Sequence, residues 1–180
     1  MALNEAFLGL GANLGSDAGD PVSNIQAAVR LLGRRCRILD VSKFYRTTPQ
    51  GFGDQPDFVN AACRLWTNLD PFQLLDAVLQ IETVVGRHRT FMNAPRSLDV
   101  DVLMYGGLVM QGPPLTLPHP RMHLRLFVLR PLLDVAPRLV HPISGKTIQE
   151  MWDAISGDGE SILQVCRATG PSCVETAAED

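Results

Sequence analysis

The sequence predicts an α+β fold of the ferredoxin-like type: an antiparallel sheet with helices on one face and additions at the C-terminal end. Strand-like and helix-like segments follow one another in the order β-α-β-β-α-β, which is the order of that fold. Both predicted helices open on Asp-Pro, at Asp20-Pro21 and Asp70-Pro71. An Asp that caps a helix and a Pro at its first position mark a helix start.

The remaining elements follow from apolar spacing and turn residues. We predict four strands in the β-α-β-β-α-β unit, at residues 6–11, 38–47, 58–66 and 98–105. Gly33 and Gly86 end the two helices. Gly106-Gly107 after the fourth strand indicates a hairpin that returns through residues 108–110. Further on, residues 147–150 form a capping box for a short helix to Ile155, and residues 162–165 have the character of an edge strand.

Length and composition limit the class of protein. A chain of 180 residues that is 46% hydrophobic buries a core as one domain. We expect this single domain over residues 1–167 and a flexible tail over 168–180, which is acidic and weakly patterned.

Charge and cysteine usage limit the partners and the compartment. The net charge of −3 and the short apolar runs argue against nucleic-acid and membrane partners. The N-terminus does not resemble a signal peptide, and the four cysteines show no Cys-x-x-Cys spacing. We therefore expect a cytoplasmic monomer with reduced thiols.

The most informative stretch is the predicted fourth strand, which carries Asp99 and Asp101. Side chains on a strand alternate in direction, so both carboxylates lie on one face, roughly 6–7 Å apart from about 3.3 Å of rise per residue. Such a pair favours a cation between its members, and Mg²⁺ suits a few carboxylates combined with water and phosphate oxygens. The spacing alone leaves open a second interpretation, two solvated aspartates on an exposed face.

Positive charge is concentrated around this pair. Residues 87–130 contain six arginines and two aspartates as their only charged residues, which gives this segment a net charge of +4. The clustering favours a polyanionic ligand held by a metal and by arginine side chains. The alternative is that the arginines pack their stems over apolar surface, which suits Arg130 better than Arg87, Arg89 or Arg96.

Three other patterns have two interpretations each. Residues 9–15 resemble a dinucleotide-binding glycine loop, but the spacing is G-x-G-x-x-x-G and the helix starts only at Asp20-Pro21, so a tight loop that shapes a pocket is favoured. Prolines on both sides of His119 exclude a helical zinc pair with His123, which leaves a phosphate donor or a turn residue. Phe58 and Asn60 share a strand face and suit either a flat heterocycle or ordinary core packing.

At these residues the sequence resembles the 6-hydroxymethyl-7,8-dihydropterin pyrophosphokinase family of folate biosynthesis. The resemblance runs from about Phe7 to Ile155. Its ordered pieces are Gly11-Ala12-Asn13-Leu14-Gly15, Tyr45-Arg46-Thr47-Thr48-Pro49, residues 54–62, Ile81-Glu82, Gly86-Arg87, Pro95-Arg96-Ser97-Leu98-Asp99-Val100-Asp101 and Leu117-Pro118-His119-Pro120-Arg121-Met122.

The resemblance implies an activity and a set of site residues. Members transfer pyrophosphate from ATP to the hydroxymethyl group of the dihydropterin and release AMP. The implied roles are two Mg²⁺ ions on Asp99 and Asp101, phosphate contacts from Arg87 and Arg96, an ATP site lined by Glu82, Arg89, Thr116, His119 and Arg125, and a pterin site formed by Thr47, Thr48, Gln50, Phe58, Asn60 and Phe127.

Two rival functions stay open at this level. A nucleotidyltransferase also uses Asp-x-Asp on a strand with a Gly-Ser turn, here Gly15-Ser16, but over eighty residues separate the two elements. Its product would be pyrophosphate rather than AMP. A non-catalytic ligand-sensing module would explain the architecture and leave the Asp99/Asp101 pair without a role.

Overall fold

The computed structural model describes residues 3–48, 56–86, 96–157 and 162–167. The strands are β1 (Asn4–Ala12), β2 (Arg37–Val41), β3 (Lys43–Thr47), β4 (Phe58–Thr67), β5 (Asp99–Tyr105) and β6 (Ile162–Arg167). The helices are α1 (Pro21–Leu32), α2 (Pro71–Val84), α3 (Leu126–Val135) and α4 (Ile148–Ile155), with one 3₁₀ turn at Met122–Leu124.

The strands form one antiparallel sheet in the order β5-β1-β4-β3-β6, with β2 also paired to β4. Because β2 and β3 lie end to end along β4, together they take the place of the second strand in β-α-β-β-α-β. The predicted ferredoxin-like class is confirmed. The helix starts at Asp20-Pro21 and Asp70-Pro71 are also confirmed, since both Asp side chains accept hydrogen bonds from the first turn.

A break at Ser42 divides the strand that the sequence predicts over residues 38–47. The Ser42 backbone N–H donates to Ala62 O at 2.9 Å. Its hydroxyl oxygen accepts from Ala62 N at 2.8 Å and donates to Lys43 O at 2.7 Å. The serine side chain therefore replaces one step of the backbone ladder, and the chain bends there while it stays beside β4.

The sheet separates two hydrophobic layers. Helices α1 and α2 cover one face, where Ile25, Leu74 and Val78 pack against Leu8 and Val100. Helices α3 and α4 cover the other, where the buried residues include Phe7, Leu103, Met122, Leu129 and Met151. The helices of the β-α-β-β-α-β unit thus lie on one face as predicted, and the C-terminal additions occupy the opposite face.

Helix α3 has no counterpart in the sequence prediction. Val128, Leu129, Leu132 and Val135 are buried at helical spacing, but Pro131 stands inside the run and normally argues against a helix interior. Burial of one apolar face against the sheet outweighs the hydrogen bond that Pro131 cannot donate.

The predicted hairpin after Tyr105 is wrong. The chain does turn at Gly106, whose φ is +50°. Met110 then forms an isolated bridge with Leu117, and the pairing partner of β5 in the sheet is β1. The Gly-Gly pair specifies the turn but not the partner of the returning segment.

The predicted edge strand is confirmed as β6, which pairs with β3 in antiparallel register, Lys43 opposite Arg167 and Thr47 opposite Ile162. Residues 168–180, predicted to be a flexible tail, lie outside the described residues. Among the helices of the described ranges, none is long and apolar enough to cross a membrane.

The register of β6 leads to a paired truncation test. Ending the chain after residue 161 removes β6 and leaves one edge of β3 without its partner, so we expect the melting temperature to fall by several degrees, from a loss of about 1–2 kcal/mol. Ending it after Arg167 should change the melting temperature by less than about 1 °C, because the tail offers little surface to bury. Equal effects of the two truncations would contradict the assignment of the domain end to Arg167.

Candidate active site

Backbone register places the predicted site residues in rows across the sheet. Gly11 of β1 lies between Asn60 of β4 and Asp99 of β5, and Gly9 lies between Ala62 and Asp101. A Cβ atom built at Gly11 would meet one described atom within 4 Å, Asn60 Oδ1 at 3.2 Å. The missing side chain therefore leaves an open trough, with carboxylates along one side and Asn60 along the other.

Asp99 and Asp101 form the first wall of this trough. Both are partly exposed, while Val100 and Val102 between and beyond them are buried in the core on the opposite face. The predicted alternation of β5 is confirmed. Arg96 Nη1 donates to Asp99 Oδ2 at 2.6 Å, so a guanidinium already lies at the carboxylate pair.

Arg96 also carries an unused donor. Its Nε atom is buried and makes no hydrogen bond to the residues that the structure describes. A buried, charged N–H group without an acceptor is costly, and an oxyanion in the trough would satisfy it. This is the clearest local indication of an anionic ligand.

Asn13 holds the backbone at Arg96. The Asn13 N–H donates to Arg96 O at 3.0 Å, and Asn13 Oδ1 accepts from Arg96 N at 2.8 Å. The same side chain donates from Nδ2 to Pro56 O at 3.2 Å. The loop after β1 is thus joined to the segments that enter β4 and β5, and its role in shaping a pocket stays a prediction.

Asn24 of α1 joins the same loop after β1 to the segment that follows Arg96. It is fully buried, and its Nδ2 donates to Leu14 O at 3.0 Å and to Ser97 O at 2.9 Å. Ser16 Oγ donates to Asn24 Oδ1 at 2.6 Å. A buried amide with all these bonds made rigidifies its surroundings, so the residues on both sides of Arg96 are fixed.

His119 and two arginines lie near the carboxylates. His119 is anchored by its own N–H, which donates to Leu103 O at 2.8 Å. Burial, followed by the charges of Arg125 and Arg121, lowers the pKa of His119 to about 4. His119 is therefore neutral at pH 7. Its Nδ1 accepts from Arg121 N at 3.2 Å, so the ring proton is assigned to Nε2, which can donate.

Arg125 completes the basic side of the site. Burial and the neighbouring Arg121 lower its pKa, while Asp101 and Asp99 act in the opposite direction. The Arg125 guanidinium lies 5.5 Å from the ring centroid of Phe127, which links the basic cluster to the apolar first turn of α3.

The second wall of the trough comes from β3 and β4. Asn60 is buried, and its Nδ2 donates to Thr47 Oγ1 at 2.9 Å. This bond fixes the amide orientation and leaves Oδ1 toward the open side of Gly11. Phe58 lies two residues before Asn60 and is partly exposed, and Thr48 is exposed at the end of β3.

Glu82 and Thr116 are two further residues of the predicted ATP site. Glu82 of α2 is buried, and its Oε1 accepts from Val100 N at 2.8 Å. It therefore caps the free edge of the strand that carries the aspartates. Thr116 is partly exposed next to Leu117, which bridges to Met110. Their contact with ATP stays a prediction, and Gln50, Arg87 and Arg89 lie outside the described residues.

The carboxylates of the trough suit a metal ion that takes its other ligands from water or phosphate. In the described ranges, no three His, Cys, Asp or Glu side chains come together as a metal site. Asp99 and Asp101 form a pair, and an ion bound there would need further oxygen ligands from water or from a bound phosphate. That requirement fits Mg²⁺, which keeps several waters and commonly binds substrate phosphates.

Comparison with known proteins identifies the family. Residues 7–137 match the model of the 7,8-dihydro-6-hydroxymethylpterin-pyrophosphokinase (HPPK) family. The chain belongs to the HPPK family. It is 42% identical over 148 residues to the 2-amino-4-hydroxy-6-hydroxymethyldihydropteridine pyrophosphokinase of Pseudomonas aeruginosa, covering 81% of this chain and 91% of that protein.

The chain also resembles part of a longer relative in sequence and a solved structure in fold. The chain is 39% identical over 156 residues to the folic acid synthesis protein fol1 of Schizosaccharomyces pombe, covering 86% of this chain but 21% of that protein. It therefore spans about a fifth of that relative. The structure of wild-type Plasmodium falciparum HPPK-DHPS with STZ-DHP superposes with a TM-score of 0.69 at 16% identity, covering 85% of this chain and 43% of that one, and shows the shared fold.

Sequence reasoning missed the positioning role of Asn24. One pattern could have found it, because Asn24 stands a helical turn before Ala28 on the apolar stripe of α1, where a polar side chain needs buried partners. The role of Asn13 could be placed only generally, in a pocket-shaping loop, since its partners Arg96 and Pro56 are distant in sequence.

The environment of His119 predicts a specific pH dependence. The folded-state pKa of about 4 lies below the ordinary value of 6.5. Between pH 6.5 and pH 4 the unfolded chain therefore binds a proton at this histidine and the folded chain does not. The free energy of unfolding should decrease as the pH falls through this range. His119→Asn keeps an acceptor for Arg121 N and should lose less stability over this range, measured by urea unfolding at pH 7, 6 and 5. An NMR titration midpoint near 6.5 for His119 would contradict the site's electrostatics.

Proposed function

We propose that this chain transfers the pyrophosphoryl group of ATP to the hydroxymethyl group of 6-hydroxymethyl-7,8-dihydropterin and releases AMP. The observation that carries the proposal is the row Asn60–Gly11–Asp99, in which one position without a side chain separates a buried amide from a partly exposed carboxylate. Membership in the HPPK family supports the same reaction. We expect the chain to act as a cytoplasmic monomer on ATP and the dihydropterin with two Mg²⁺ ions.

The phosphate side of the site is built for charge neutralisation. Arg96, Arg121 and Arg125 supply fixed positive charge, and the unpaired Arg96 Nε is a ready donor. Neutral His119 adds an Nε2–H donor without adding charge. Mg²⁺ bound at Asp99 and Asp101 would neutralise phosphate oxygens and orient the leaving group. Phosphoryl-type transfer relies on such electrostatics and positioning more than on covalent catalysis.

The chemical step breaks one bond and forms one. The substrate hydroxyl oxygen attacks the β-phosphorus of ATP, the bond from that phosphorus to the α,β-bridging oxygen breaks, and AMP leaves with the bridging oxygen. The hydroxyl proton must depart, and Asp101 is the carboxylate proposed to take it. In-line attack requires both substrates to be held rigidly, which suits the Asn13 and Asn24 contacts that fix the segment around Arg96.

The pterin side of the site supplies shape and polarity. Asn60 presents Oδ1 to an N–H donor of the pterin, with its orientation fixed by Thr47. Phe58 and Phe127 are proposed to lie on the two faces of the ring, as apolar walls commonly do in small-molecule sites. Thr48 and Gln50 would complete the polar edge, and Arg87 and Arg89 would add further phosphate contacts.

The product distinguishes this function from its rivals. Purified protein is incubated with Mg-ATP and the hydroxymethyl dihydropterin, and AMP, free pyrophosphate and pterin pyrophosphate are quantified. We expect AMP and pterin pyrophosphate in equal amounts. Release of free pyrophosphate would indicate nucleotidyl transfer, and ligand binding without AMP formation would indicate a sensing module.

Loss of one carboxylate should nearly abolish turnover. Asp99→Asn and Asp101→Asn keep the side-chain shape but each remove one metal-binding charge, so kcat should fall by about 100-fold or more. Melting temperatures should stay close to wild type because both side chains are partly exposed. Asp76→Asn, an exposed position on α2, is the matched control and should keep full activity. Near-normal kcat in either site variant would rule out the metal assignment.

A single methyl group tests the open trough. Gly11→Ala would place a Cβ 3.2 Å from Asn60 Oδ1 and into the space proposed for the pterin, so the KM for pterin should rise about tenfold. Gly9→Ala is the control, because its Cβ would make ordinary contacts of 3.4–3.6 Å with Leu103. If both variants bind pterin like wild type, the ring does not lie over Gly11.

A further inference from the structure

Asp134 occupies a position that the local rules of helix stability disfavour. It lies in the last turn of α3, where the helix dipole opposes negative charge. Its helical partner Arg130 precedes it by four residues, with Nη1 to Oδ1 at 3.3 Å, and this is the weaker order for such a pair. An unfavourable placement of this kind suggests that the carboxylate has a task outside its own helix.

That task is a connection between α3 and β3. Asp134 Oδ2 accepts from Lys43 N at 3.0 Å and from the Tyr45 hydroxyl at 2.8 Å. The Tyr45 side chain is buried. Burial and the hydrogen bond to Asp134 raise the pKa of Tyr45, so the phenol stays protonated and donates. Arg130 stacks 4.7 Å above the Tyr45 ring and holds it in place.

The break at Ser42 makes this connection possible. In the described residues, the backbone pairing between β3 and β4 begins at Tyr45, which lies opposite Asn60. Lys43 N, just after the break, bonds to the helix carboxylate instead of to β4. One carboxylate oxygen thus fixes the position of the first residues of β3 relative to α3.

Both elements carry walls of the proposed pterin site. On β3, Thr47 lies two residues beyond Tyr45 and orients Asn60 through a 2.9 Å bond. On α3, Phe127 lies seven residues before Asp134, about 10 Å along the helix at 1.5 Å per residue. The distance between the Thr47–Asn60 wall and Phe127 therefore depends on the position of α3 relative to β3.

We propose that Asp134 is a positioning residue for the pterin site, setting the separation between β3 and α3 across which the pterin ring is held. The inference rests on the proposed function and adds to it a residue outside the trough. It predicts that loss of the connection weakens pterin binding selectively, because the phosphate side is anchored separately through Asn13 and Asn24 to Arg96.

Three variants test the proposal in the full chain. Asp134→Asn removes the charge that accepts both bonds. Tyr45→Phe keeps the ring under Arg130 and removes only the hydroxyl, so it remains informative if the first variant is poorly folded. Asp153→Asn, an exposed position on α4, is the matched control. The KM values for pterin and for ATP, kcat and the melting temperature are measured for each.

We expect Asp134→Asn and Tyr45→Phe to raise the KM for pterin about tenfold, as for a lost hydrogen bond to a charged group, with the KM for ATP within about twofold of wild type. Asp153→Asn should match wild type. A lowered melting temperature with both KM values unchanged would show a merely structural role and overturn the proposal. Equal increases in both KM values would overturn it as well. Wild-type protein that forms no pterin pyrophosphate would instead reject the proposed function itself.

Discussion

The antiparallel register of β1 between β4 and β5 is the constraint on which the site depends. Because Gly11 pairs with Asn60 on one side and Asp99 on the other, the groups proposed to bind the pterin and the metal are separated by a fixed width. A slip of one residue would turn these side chains to the opposite face. The buried apolar residues on the α1 and α2 side of the sheet, including Leu8, Leu10 and Val100, make such a slip costly.

The proposed phosphate side of the site is held by polar groups, whereas the proposed pterin side combines the apolar packing of α3 with the hydrogen bond from Asn60 to Thr47. Asn13 and Asn24 fix the backbone around Arg96 through partly buried and buried hydrogen bonds, where a lost partner would leave an unsatisfied polar group. On the other side, α3 packs through Leu129 and Leu132, and its connection to β3 runs through Asp134. A rigid backbone around Arg96 and a separately positioned α3 would suit the transfer between two substrates that we propose.

Local sequence rules predicted the features that depend on a few adjacent residues. The Asp-Pro helix starts, the alternation of β5 and the edge strand β6 all followed from neighbouring side chains. What failed depends on tertiary contacts: α3 forms despite Pro131 because its apolar face is buried, and residues 108–110 do not return along β5 because Met110 bridges to Leu117. For the candidate site, strand spacing singled out Asp99, Asp101 and Asn60, and the family resemblance added Thr47; their roles stay predictions. The Arg96 Nε that lacks a partner among the described residues and the contacts of Asn24 required three-dimensional neighbours.

The distance between the metal ions and the pterin tests the central claim most directly. With Mn²⁺ in place of Mg²⁺ and a non-hydrolysable ATP analogue, paramagnetic relaxation of the pterin ring protons reports that distance. Asp99 and Asn60 are two strand spacings apart, so the metal and the ring should lie about 10 Å from each other, from about 4.8 Å per spacing. Strong relaxation corresponding to this distance would support the account. Pterin that binds without measurable relaxation would place the ring outside the trough and contradict it.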